Sequence, residues 1–254
     1  MVHGLSRLGR DFDVIAAALS DTHYVVCPDM AGRGNSDWLP EGQTYTYTQY
    51  MNDLTTLIAH ITPSTTASPP SISWLGSSMG GLLGMIMASM PGTPITKLLI
   101  NDIGPYITVE ALKKIRSYVG LMPTFQTFEM GENFVRQIYA PFGKLSDAQW
   151  HHMATHSLHR QPDGPYRLHY DPRIAHFKMD DDTADVNLWP CWWSVPCPTL
   201  ILRGAHSEIF TTDIAEQMIA SNPNASLIEI PDAGHAPALM SDFEIDHVRK
   251  WFCT

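Results

Sequence analysis

The stretch "SISWLGSSMGGLLGMIMASM" (71–90) decides the fold. Strand-forming residues run into a knot of glycines and serines and leave as an apolar run of helix formers, so the chain must turn sharply at "GSSMGG" (76–81). Gly76, Ser78 and Gly80 satisfy G-x-S-x-G with Ser78 at its centre, and Ser77 falls outside that frame. The spacing has a steric cause. A serine on a tight strand-to-helix turn has its hydroxyl lifted clear of the sheet, and glycines two places to either side let neighbouring backbones pass closely. The helix N-terminus that follows favours negative charge beside the serine. If Ser78 is a nucleophile, a histidine and a carboxylate must come from elsewhere in the chain.

Outward from this turn, short apolar runs alternate with helical patterns. "HYVVCPDM" (23–30), "SISWLG" (71–76), "KLLIND" (97–102), "PTLILRG" (198–204) and "ASLIEIPD" (225–232) read as strands of a parallel sheet buried on both faces. Between them, 11–20, 47–61, 79–90, 211–222 and 243–252 carry helical periodicity, and "TPSTTASPP" (62–70) reads as a loop. The alternation predicts an α/β fold, a doubly wound and mostly parallel sheet. Residues 104–196 break it. They hold helical patterns ("VEALKKIRSYVG", "ENFVRQIYAPFG", "DAQWHHMATHS") and a Trp-rich "LWPCWWSV", with no convincing buried strand. The expected organisation is therefore a core of 1–103 and 197–254 with a helical cap, 104–196, inserted between two strands.

Further motifs follow in order: "VHGLSR" (2–7), "PDMAGRGNSD" (28–37), "NDIGP" (101–105), "LRGAHSEIF" (202–210) and "DAGHAP" (232–237). With "GSSMGG" they make the chain resemble the α/β-hydrolase superfamily, of the esterase/lipase-like kind, over nearly its whole length. That resemblance implies a cofactor-free serine hydrolase cleaving a small-molecule carboxylic ester through an acyl-enzyme, with Ser78 as nucleophile and His235, just after the last strand, as general base. The acid is open between two residues. The superfamily's common position, three residues after the glycine of "LILRG", is Ser207 here, which leaves Glu208 one place on and Asp102 at the end of the preceding strand. Asp102 is the narrow choice, because it is short and leaves the strand beside that of the nucleophile. The resemblance also implies an oxyanion hole from the amides of Leu5 and Met79. Asp29 reads as a turn residue bonding nearby amides. Trp189, Trp192, Trp193, Phe125 and Phe142 are candidates for an apolar pocket or for packing within the cap. Lactonase, amidase, C–C hydrolase and perhydrolase chemistry use the same parts, and a non-catalytic ligand-binding scaffold is a further alternative.

The remaining signals bound the answer. A net charge of −10 with 16 Lys and Arg argues against nucleic-acid binding. Cys27, Cys191, Cys197 and Cys253 form no C-x-x-C pair and read as reduced thiols of a cytoplasmic protein. Residues 1–13 lack the apolar core of a signal peptide, and no run is long enough to span a membrane. His151, His152, His156 and His159, with Asp147 a turn earlier, match no established metal-ligand spacing, so no metal is expected. In the superfamily a strand runs into the His-Gly turn and two more precede it, whereas here only Met1-Val2-His3 stand in front. Unpaired buried backbone groups cost about 1–3 kcal/mol each. The neighbouring strands are therefore expected to close up or be bridged by another segment or subunit, or the chain to be a truncated form that associates or is unstable. Adding about 20–30 residues, enough for three strands and their turns, is then expected to raise the melting temperature.

Overall fold

The computed structural model describes residues 1–62, 71–177 and 184–254, so 63–70 of the predicted loop lie outside the described residues. The chain runs α1 (Asp13–Leu19), α2 (Tyr47–Ile61), β1 (Ile72–Ser77), α3 (Met79–Ser89) and β2 (Ile95–Asn101). An insertion follows, with β3 (Tyr106–Ile107), α4 (Val109–Tyr118), α5 (Phe128–Ile138), α6 (Asp147–Ser157), β4 (Leu158–Arg160), β5 (Tyr166–Leu168), β6 (Val186–Asn187) and α7 (Trp189–Trp193). The chain then returns as β7 (Thr199–Gly204), α8 (Thr212–Ser221), β8 (Ala225–Ile230) and α9 (Asp242–Cys253).

The central sheet has the order β1-β2-β7-β8, and every pairing in it is parallel. Period-two alternation along each strand sends successive side chains to opposite faces. Leu75, Leu99, Leu200 and Leu202 pack with Ile15, Val248 and Phe252 of α1 and α9. Trp74, Leu98, Ile100 and Ile201 belong to the other, larger cluster, which holds α3 and α8. Because both faces are covered, the strands read as unbroken apolar runs rather than as alternating ones. The insertion contributes β3–β6 and β4–β5, two short antiparallel pairs outside the main sheet.

One predicted strand does not form. Residues 23–30 run without a strand ladder. The Met1 ammonium donates to the Val26 carbonyl at 2.7 Å, and among the described residues no ladder extends from that contact. On its other side Val2 makes a parallel bridge to Gly76, donating to the Leu75 carbonyl (2.8 Å) and accepting from the Ser77 amide (3.0 Å). The space between β1 and 23–30 is thus bridged by the first three residues of this chain. All four cysteines are free. Among the described residues no helix is long and apolar enough to cross a membrane.

Candidate active site

The turn at 76–81 is built as its spacing requires. Ser78 has φ 49° and ψ −113°, a conformation outside the ordinary wells of an L-residue that costs about 1–3 kcal/mol. A Cβ on Gly76 would run into the Gly80 carbonyl, and one on Gly80 into the Val2 carbonyl, so neither position admits a larger residue without displacing backbone. The Ser78 amide donates to the Asn101 carbonyl at 2.9 Å, and the Asn101 side-chain amide donates to Ser77 Oγ (3.0 Å) and to the Pro237 carbonyl (2.9 Å). Ser77 therefore helps hold β1 to β2 and to the loop after β8, and of the two adjacent serines Ser78 is the one at the cavity.

Three side chains from distant parts of the sequence meet here. Ser78 Oγ lies 2.9 Å from His235 Nε2, and His235 Nδ1 lies 2.8 Å from Asp102 Oδ2. Asp102 is fully buried at the end of β2, and its carboxylate accepts from the Gly204 amide (2.7 Å), the Ala236 amide (3.0 Å) and the Ser207 hydroxyl (2.6 Å). Those donors compensate its burial and fix its direction. Ser207, at the position where the superfamily pattern looks for an acid, thus donates to the carboxylate that ends the neighbouring strand. Glu208 stands apart on the exposed rim and pairs with Lys114 of α4.

This group opens onto a cavity of about 580 Å³. Its floor includes Leu5, Ser78 and Met79, and its roof comes from the insertion, with Ile115, Tyr139 and Phe142 among the lining residues. Of the five aromatic pocket candidates only Phe142 lines this cavity. Trp192 is fully buried, donating its indole N–H to Met218 and Ser221 at α8. Phe125 packs against Phe134, while Trp189 stacks on the exposed Trp193. Aromatic identity marked these residues, but which face of the insertion meets the sheet is a tertiary fact.

Two residues whose part the sequence did not reveal brace the floor. His3 is fully buried; its Nδ1 lies 2.7 Å from the Gly4 carbonyl, and its Nε2 accepts from the Met30 amide at 2.9 Å, so the ring is neutral and in one tautomer. Arg33, from the "GRG" of "PDMAGRGNSD", is also fully buried and donates to the Leu5 carbonyl (2.8 Å), the Ala31 carbonyl (2.6 Å) and Tyr50 Oη. Its remaining nitrogen sits 3.9 Å from Met79 Sδ, so one guanidinium touches both Leu5 and Met79. Asp29 caps its turn by accepting from the amides of Gly9 (2.7 Å) and Asn35 (3.0 Å).

Burial, reinforced by the Arg33 guanidinium, holds the His3 imidazole down to about 3. Between that value and the ordinary one near 6.5, the unfolded chain binds a proton that the native state refuses. Native stability is therefore expected to fall as pH drops below 6.5, by about 2 kcal/mol from this residue at pH 5, and to be independent of it above 6.5. Urea unfolding at pH 5 and pH 8 measures the difference. His3→Gln, which does not titrate, is expected to flatten the slope; an unchanged slope would remove His3 as its source.

The model of the alpha/beta hydrolase family matches residues 1–244. The chain is 38% identical over 258 residues to a 3-hydroxybutyrate-oligomer hydrolase of Cupriavidus necator, covering 98% of this chain and 86% of that protein. Among solved structures, a Rickettsia typhi protein described as a hydrolase superposes with a TM-score of 0.90 at 31% identity, over 99% of this chain and 84% of its own. An alpha/beta hydrolase from Novosphingobium aromaticivorans gives 0.85 at 30% identity, over 98% and 87%. Sheet order, the strand-to-helix turn and the extent of these matches lead to one conclusion: the chain belongs to the alpha/beta hydrolase family.

Proposed function

We propose that this chain is a serine hydrolase of carboxylic esters whose substrates are short oligoesters of hydroxy acids. The observation that carries the reading is the continuous hydrogen-bonded path from Asp102 through His235 to Ser78 at the floor of the cavity. In this reading Ser78 attacks the ester carbonyl and His235 takes its proton, then delivers it to the leaving alcohol. Water cleaves the acyl-enzyme by the same route. Asp102 holds the ring with Nδ1–H toward itself and stabilises the imidazolium as it forms. The amides of Leu5 and Met79 receive the oxyanion, with Arg33 fixing the distance between the two segments that carry them.

The substrate class rests on the 38% identical relative, which by its name hydrolyses 3-hydroxybutyrate oligomers. The cavity suits it in size, falling within the range of about 300–1,000 Å³ usual for small-molecule sites. An oligoester also carries a terminal carboxylate, and Lys114 on α4, at the cavity, receives it by exchanging its exposed pair with Glu208. The insertion then works as a cap, placing α4 and Tyr139–Phe142 over the ester.

The test is a burst experiment. Mixing enzyme with p-nitrophenyl butyrate is expected to release one equivalent of p-nitrophenol before the steady rate, and quenched protein is expected to carry a butyryl group on the peptide containing Ser78. Purified dimers and trimers of 3-hydroxybutyrate are expected to be cut faster than a triglyceride. Absence of both burst and adduct would overturn the serine mechanism, whereas a burst without oligoester cleavage would overturn only the substrate class.

A further inference from the structure

The histidines of α6 have a second arrangement, away from Ser78. His152 and His156 are one helical turn apart and so share a face. Their rings meet edge to face with centroids 4.7 Å apart. That face meets Asp13 in the first turn of α1, and one ligand atom from each of Asp13, His152 and His156 falls within 4.8 Å of the others. Among the described residues this is the one place where three such side chains converge.

We propose that Asp13, His152 and His156 form a binding site for a borderline divalent transition metal, of the Zn²⁺ class, that ties the insertion to the core. Two imidazoles and one carboxylate are a donor set such cations take, usually with water completing the shell. The His152 Nε2 to Asp13 Oδ2 separation is 3.4 Å. That matches the edge of a tetrahedron with metal–ligand bonds of about 2.1 Å. The Arg10 carbonyl, 3.3 Å from the same nitrogen, adds an oxygen at the rim. All three residues are half-buried, so water and ions reach them.

Arg10 is the competitor. Its guanidinium pairs with Asp13 at 2.6 Å, from a side chain that is 55% exposed and free to swing into solvent. The neighbouring histidines are engaged differently: His151 faces Glu132 at 3.0 Å, and His159 stacks on His169. Asp147, which the sequence placed with the cluster, pairs with Arg136. The ligand completing the histidine pair comes instead from α1, more than a hundred residues earlier in the chain.

Titration calorimetry with ZnCl₂ on the full chain tests the site. One equivalent is expected to bind and to raise the melting temperature in step with occupancy. His152→Ala, His156→Ala and Asp13→Asn are each expected to weaken binding about tenfold or more. Arg10→Ala is expected to tighten it, and the control His151→Ala/His159→Ala to leave it unchanged. With Co²⁺ on the wild-type chain, the imidazole resonances of His152 and His156 are expected to broaden first, a readout that needs no variant. The proposal is overturned by absence of binding, by binding that survives loss of both His152 and His156, by loss of binding in the control, or by broadening that begins at other histidines.

Discussion

Ser78→Ala is expected to lower kcat on p-nitrophenyl butyrate by about four to six orders of magnitude, with the fold and the cavity intact. The expectation follows from the division of labour at the site. Ser78 is the one group at the floor whose oxygen lies on the His235 nitrogen, and the neighbouring Ser77 is turned to Asn101 at 3.0 Å. It cannot substitute. Binding of a non-cleavable ester analogue, followed by calorimetry, should persist in the variant, since the cavity walls are untouched. A variant that kept more than about a hundredth of the wild-type rate would show that attack comes from elsewhere.

Asp102→Asn is expected to lower kcat by about 10⁴-fold, because the imidazolium formed in the transition state loses its counter-charge and the ring its preferred tautomer. It should also lower the melting temperature. The carboxylate accepts from Gly204, Ser207, Ala236 and His235 at once. Whichever way the amide is turned, its NH₂ meets a donor, and a buried group left unsatisfied costs about 1–3 kcal/mol. Glu208→Gln is expected to cost less than about tenfold in kcat/KM, since its exposed pair with Lys114 is worth at most about 1 kcal/mol. Steady-state kinetics on the two variants measures the contrast; the opposite ranking would assign the acid to Glu208.

The vacancy at Ser207 illustrates how far the sequence reaches. A carboxylate missing from one strand end and present at the next reads as two open candidates, because residues 105 positions apart have no distance between them until the sheet is built. In the structure β2 and β7 are neighbours, Asn101 lies opposite Leu202, and Ser207 Oγ comes to 2.6 Å from Asp102. One tertiary contact explains both the serine and the aspartate.

What the sequence determined by itself was whatever depends on local sterics and period: the turn at Gly76-Ser78-Gly80, four of the five strands it led one to expect, and the helices that cover them. Close approach of backbones and burial of both sheet faces are written into residue type at fixed short spacings, so they can be read without coordinates. The tertiary structure alone decided which residues meet across long separations. It set Val2 rather than a full strand beside β1, turned Trp192 into the core and Phe142 into the cavity, placed Arg33 beneath both Leu5 and Met79, and brought Asp13 to His152 and His156. The reason is physical: a side chain's partner depends on how layers pack against each other, and that packing is settled by the summed burial of the whole chain, not by any one segment of it.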